Sequence, residues 1–200
     1  MILKTIGILA LSVFISATAN ASVIFQDNFD DEGTAGVSVL NYNSFANWTV
    51  SGGTVDLISD PNNWGIDCVG GTGKCVDLDG STGNAGILSS NNFTLSAGTY
   101  TVMFDISGNQ RNGNTDEMLV TLGGFLNETF TVLGGDPWKT ITRSFTVTSD
   151  TTSSISFNHS GTDNIGIILD NVSVVSAPSA IALLGLGLFG LGVVGRRRKA

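Results

Sequence analysis

The amino-acid sequence predicts an all-β fold, an antiparallel β-sandwich or barrel, and two observations carry that expectation. Apolar residues recur at every second position in a series of short runs, with turn residues between the runs. Helix formers are scarce in the same region, Gly, Asn, Thr and Ser abound, and no long stretch repeats apolar residues at intervals of three and four. Many short strands punctuated in this way belong to two sheets packed face to face or to one sheet closed on itself.

The chain opens with Met1 to Ala21. Lys4 precedes an apolar run from Ile6 to Ile15, and Ala19-Asn20-Ala21 follows as an A-x-A cleavage site. This reads as a secretory signal helix cut between Ala21 and Ser22, its apolar core too short to span a bilayer. Phe25 to Gly86 is rich in loops, with strands expected at Trp48–Val50, Thr54–Ile58 and Cys75–Leu78. Thr99–Ser107 then places Tyr100, Val102, Phe104 and Ile106 on one face. Met118, Val120 and Leu122 form the next set, Phe130 and Val132 another, and Ile155 with Phe157 a short last one. Thr140–Thr148 puts Ile141, Phe145 and Val147 together with Arg143 among them. Turn signals separate these runs at Ser96-Ala-Gly98, Asn109 to Asn114, Gly123-Gly124, Gly134-Gly135-Asp136-Pro137 and Ser160-Gly161.

Cys68 and Cys75 are the two cysteines, with three glycines among the residues between them. In an exported chain such a pair forms a disulfide, here stapling a surface loop from Asp60 to Gly73. A lone pair at this spacing is no zinc signature. All seventeen acids lie between Ser22 and Ser176 against four cations, Lys74, Arg111, Lys139 and Arg143, a net charge of −13. That surface repels nucleic acid and anionic lipid, and it attracts divalent cations.

The last segment runs Ser176-Ala177-Pro178, then an uncharged apolar stretch from Ile181 to Gly195, then Arg196-Arg197-Arg198-Lys199 and Ala200. A helix satisfies its backbone internally and is accepted by hydrocarbon, with the basic end left on the cytoplasmic side. Counted from Ala177, the stretch is just long enough to cross a membrane. This tail resembles the PEP-CTERM sorting signal of Gram-negative bacteria, with a Pro-containing motif, a Gly/Leu-rich span and an Arg-rich end. The resemblance implies recognition by an exosortase-type processing enzyme. Where the namesake motif has Pro-Glu-Pro, this chain has Ser176-Ala177-Pro178, which leaves the cut position open. An ordinary C-terminal anchor is the alternative. The chain thus divides into a signal (1–21), a β-sandwich domain (22–175) and a sorting tail (176–200).

Phe25-Gln-Asp-Asn-Phe-Asp-Asp-Glu32, Val76-Asp-Leu-Asp-Gly-Ser-Thr-Gly83 and Ile168-Leu-Asp-Asn-Val-Ser-Val174 are similar to the jelly-roll modules of the galactose-binding-like class, which includes many carbohydrate-binding modules. The resemblance implies that the first and last strands pair and that a structural calcium sits near their ends. It also implies sugar sites in end loops or on a concave sheet. The residues agree with calcium near the termini: Asp27, Asp30, Asp31 and Glu32 cluster in the opening turn, and hard oxygens in a loop suit that ion. Asp170 would share a strand face with Ile168, Val172 and Val174, where a carboxylate is costly unless paired or metal-bound. The other reading is that Asp170 accepts backbone amides at a strand kink and the opening acids are solvated.

Asp77 and Asp79 flank Leu78 on a strand, both pointing outward, and either bind a sugar hydroxyl or a second ion or simply begin a turn. Trp64, in the loop Pro61-Asn-Asn-Trp-Gly65, and Trp138, after a Gly-Asp-Pro turn, can present a flat face to a sugar ring. Trp48 precedes a strand run and reads as core. His159 is the one histidine, no G-x-S-x-G elbow is present, and no carboxylate pair stands out. The sequence therefore predicts a non-catalytic protein of the bacterial surface or extracellular matrix that binds polysaccharide. The alternatives are a purely structural biofilm or adhesion component and a small hydrolase.

Overall fold

The structure is a computed structural model and describes residues 21–111 and 113–177. The predicted signal helix, the transmembrane helix, Pro178 of the sorting motif and the basic end Arg196–Lys199 lie outside the described residues. Among the described residues no helix is long and apolar enough to cross a membrane. Ala21–Ala177 forms one compact unit.

Thirteen strands make up this unit: β1 (Val23–Asp27), β2 (Trp48–Ser51), β3 (Asp56–Asp60), β4 (Gly73–Asp77), β5 (Ile87–Ser90), β6 (Phe93–Leu95), β7 (Gly98–Ser107), β8 (Thr115–Leu122), β9 (Leu126–Leu133), β10 (Lys139–Val147), β11 (Thr151–Ser153), β12 (Ile155–His159) and β13 (Ile168–Ser176). A single 3₁₀ turn, Val69–Gly71, is the one helical feature among the described residues. One sheet runs β10-β7-β13-β4-β3 with β1 also on β13, and the other runs β2-β5-β12-β8-β9; β6 and β11 pair separately. Every strand pairing is antiparallel. The first and last strands pair as expected, Phe25 opposite Val174 and Asp27 opposite Val172.

The period of two explains what lies between the sheets. Tyr100, Val102, Phe104 and Ile106 of β7 are buried, as are Met118, Val120 and Leu122 of β8, Phe130 and Val132 of β9, and Ile155 and Phe157 of β12. Phe104 and Phe157 meet across the two sheets with ring centroids 5.2 Å apart and planes at 80°. Such an edge contact contributes roughly 0.5–1.5 kcal/mol beyond the buried area. Trp48 belongs to the core, as expected, and its Nε1 donates to the Asp27 carboxylate at 3.0 Å. Arg143 escapes the apolar face of β10 by pairing with Glu128 of β9, its guanidinium 5.6 Å from the Phe130 ring centroid.

The strict period of two fails in β13. Its register against β7 shifts between Asp170 and Ser173, and Asn171 takes φ +50°. This bulge flips the faces. Leu169, Val172 and Val174 point into the core, whereas Ile168 packs in a second cluster with Ile58, Ile66, Cys68 and Cys75. Asp170 therefore does not share a face with Val172 and Val174. It accepts hydrogen bonds from the Val69 amide at 3.2 Å and the Asn171 amide at 2.7 Å.

Candidate functional site

The second cluster builds the site. Alternation along β3 and β4 sends Leu57 and Val76 inward and leaves Ile58 and Cys75 on the outer face of the sheet. The β3–β4 loop folds over that face. Cys68 is bonded to Cys75, with Cα atoms 5.5 Å apart, so the predicted staple is present. Asn62 shapes the loop tip, its Oδ1 accepting the Trp64 amide at 2.8 Å and its Nδ2 donating to the Ile66 carbonyl at 2.6 Å. Gln110, at φ +59°, clamps the loop from the side. Its Oε1 accepts the Asp67 amide and its Nε2 donates to the Asp67 carbonyl, both at 2.9 Å.

Between this loop and its neighbours lies a pocket of about 130 Å³. Leu40, Ile58, Trp64 and Ile66 supply its apolar wall, and Asp56, Asp77, Ser81, Arg111 and Asn164 its polar one. Trp64 stays 38% exposed, so part of its indole is open to a ligand. Asp77, by contrast, is buried. Its Oδ2 accepts Arg111 Nη2 at 2.5 Å, and its Oδ1 accepts the amides of Asp79 at 3.1 Å and Gly166 at 3.0 Å. Burial pushes the Asp77 carboxyl well above the usual carboxylate range, and the Arg111 charge opposes that. Arg111 also donates to the Asn164 carbonyl at 3.2 Å. Opposite Asp77 on the neighbouring strand β3, Asp56 accepts the Asn41 amide at 2.7 Å and the Ser81 hydroxyl at 2.7 Å.

Of the residues the sequence singled out for ligand, Trp64 and Asp77 come together here and two do not. Trp138 lies under the loop, packed against the disulfide cluster, with its Nε1 donating to the Asp67 carbonyl at 3.0 Å. It holds the loop that carries Trp64. Asp79 lies past the end of β4 and is fully buried. Neither Asp77 nor Asp79 points outward to solvent: both are buried, Asp77 beneath the Arg111 guanidinium and Asp79 against the 161–166 segment. Asp79 Oδ2 accepts the Asp163 amide at 3.3 Å, and burial raises its pKa. Close by, His159 Nε2 accepts the Ile167 amide at 3.3 Å, and burial lowers the His159 pKa to about 4. A histidine so committed is a poor general base. Arg111 and Asp56 went unmarked in the sequence; the one signal was an isolated cation inside the Asn- and Gly-rich turn 109–114.

Of the four acids predicted to hold calcium, three are engaged by other partners and one is exposed. Asp27 accepts Phe29 N, Asn47 Nδ2 and Trp48 Nε1. Asp30 accepts the Lys74 amide and Asn28 Nδ2, and Asp31 is exposed. Burial raises the Asp170 pKa to about 7. Among the described residues no three His, Cys, Asp or Glu side chains gather to hold a metal ion.

No family model and no curated protein matches this chain. Solved structures do match it. The K1 cleaved adhesin domain of Lys-gingipain from Porphyromonas gingivalis superposes with a TM-score of 0.52 at 15% identity, over 78% of this chain and 99% of that domain. An exo-β-1,3-galactanase from Phanerochaete chrysosporium, solved with galactose, gives 0.42 at 22% identity over 70% of this chain. The chain spans 29% of that enzyme's length. The C-terminal CBM6 of LamC, a marine laminarinase from Zobellia galactanivorans, gives 0.43 at 12% identity over 70% of this chain and 98% of the module. At these identities the likeness is one of fold alone, an antiparallel β-sandwich.

Proposed function

We propose that this protein is a non-catalytic glycan-binding module, exported by its N-terminal signal and carried to the bacterial surface or matrix by its C-terminal tail. One observation carries the binding reading. Trp64, the Arg111–Asp77 pair and Asp56 line the same pocket. A sugar ring has apolar C–H faces and a rim of hydroxyls, so it needs a flat apolar wall beside convergent donors and acceptors. Trp64 with Leu40 and Ile66 supplies the wall. The guanidinium N–H groups of Arg111 that do not face Asp77 are donors, and the free lone pairs of Asp56 and Asp77 are acceptors. The pocket volume suits one ring rather than a long chain segment.

The address rests on sequence alone. The A-x-A site before Ser22 supports export, and the motif Ser176-Ala177-Pro178, the apolar span and Arg196–Lys199 support handling by an exosortase-type enzyme at the membrane. Binding of the full chain to a panel of glycans tests the module reading. Saturable binding that Trp64→Ala removes supports it, and a blank panel from folded protein contradicts it. Mass spectrometry of the processed protein tests the address by showing whether both ends are removed.

A further inference from the structure

A buried lysine stands where the sequence led us to expect an ion. Lys74 belongs to β4 and is 4% exposed. By alternation it shares the core-facing side of the strand with Val76, an unusual place for a cation. Its Nζ donates to the carbonyl of Asp30 at 3.0 Å and to the carbonyl of Glu32. Its backbone amide donates to Asp30 Oδ1 at 2.8 Å. The two ion pairs found among the described residues, Arg111–Asp77 and Arg143–Glu128, do not include it. Lys74 is thus held by the backbone carbonyls of the opening turn, which are the kind of oxygen a calcium ion takes.

The surroundings are built around this contact. Gly73, at φ +80°, lets Asp30 approach so closely that a Cβ there would lie 2.2 Å from Asp30 Oδ1. The Glu32 carboxylate is turned away to the Ala46 amide at 2.8 Å, leaving its carbonyl for Lys74. Asp27 is committed to Trp48 and Asn47, and Asp170 to two backbone amides. Asp27, Asp30 and Asp170 as placed do not fit a calcium ion, because their oxygens already have donors, and Asp31 is turned out to solvent.

We propose that Lys74 is a built-in cation, its ammonium gathering the opening turn in place of a bound metal, so that the fold is independent of calcium. The ammonium has three donors and no acceptor, and it sits where carbonyl oxygens converge from Asp30 and Glu32. A covalently attached cation needs no supply of ion and is not lost to chelators. This inference is independent of the glycan pocket and stands or falls without it.

Thermal melts of the full chain in chelator and in millimolar calcium test it, for the wild type and for Lys74→Arg, Lys74→Met and Lys74→Ala. The wild-type melting temperature should be the same in both buffers. Lys74→Met, which keeps the stem and loses the donors, should melt roughly 5–15 °C lower, and Lys74→Arg should keep most of the stability. Lys74→Ala vacates the carbonyl cage, and calcium should restore part of its loss while leaving the wild type unmoved. A wild-type melt that falls in chelator overturns the proposal, whether or not the variants fold. So does a Lys74→Met variant that melts like the wild type.

Discussion

Arg111 pairs with Asp77 across a separation of 34 residues, joining the β7–β8 turn to the end of β4 at 2.5 Å. The pair closes one side of the pocket and is asymmetric: the Asp77 side chain is buried and the Arg111 side chain is 27% exposed. The guanidinium is therefore what keeps a buried carboxylate tolerable.

Removing that partner should cost more as pH rises. Burial raises the Asp77 pKa and Arg111 opposes the rise, so Arg111→Met leaves a carboxyl that must either hold its proton or be buried charged. A raised pKa in the folded state favours folding at low pH, and the benefit is lost as pH rises. The deficit of Arg111→Met relative to wild type should be small near pH 5 and about 1–3 kcal/mol near pH 8. Denaturant unfolding at the two pH values checks this.

His159 titrates in the opposite sense. Its pKa is about 4 in the fold and near 6.5 when unfolded, so acid loads a proton onto the unfolded chain first. Its contribution is full above pH 6.5 and is lost as pH falls toward 4, at no more than about 1.4 kcal/mol per pH unit. Asp79, Asp116 and Asp170, all raised by burial, work against this slope. His159→Gln should therefore lose less stability than wild type between pH 6.5 and 4. Melting curves across that range give the answer.

Trp138 and the disulfide should act through the loop. Breaking Cys68–Cys75 by replacing both with serine frees the segment that carries Ile66 and Trp64. The staple closes a short loop, so stability should fall by about 2 kcal/mol. Trp138→Ala should cost a similar amount, about 1–3 kcal/mol, by losing the Asp67 bond and the packing on the disulfide cluster. Both variants should weaken glycan binding only in proportion to that loosening. Melting and titration of the same samples separate the two effects.

The strands were legible because period-two burial is local: Tyr100 to Ile106 and Met118 to Leu122 announce their faces in a few residues. The β13 bulge was not, since a register shift at Asn171 depends on how β1, β4 and β7 divide the edges of that strand. Asp77 could be read as a surface turn acid because nothing local says that loops from distant parts of the chain roof the outer face of β3 and β4. Trp64 was visible as a loop aromatic, but its partner Arg111 comes from a distant turn, and only the fold brings them together. Lys74 was hidden in the same way, as a cation whose strand register, not its type, sends it inward.

The charge of the pocket sets its preference. Asp56 faces the single cation Arg111, the buried Asp77 carboxyl is pushed toward its neutral form, and the domain around them carries −13. Uronic or sulfated glycans should be repelled and neutral ones preferred, with the gap narrowing in high salt. Competition between neutral and acidic oligosaccharides at two ionic strengths checks this.

Titration of neutral oligosaccharides into the wild-type protein and into Trp64→Ala tests the central claim most directly. Saturable binding by the wild type is expected, weakened about tenfold or more in Trp64→Ala at an unchanged melting temperature. Equal binding by the two proteins, or none by either when both are folded, would contradict the assignment of this pocket as the glycan site.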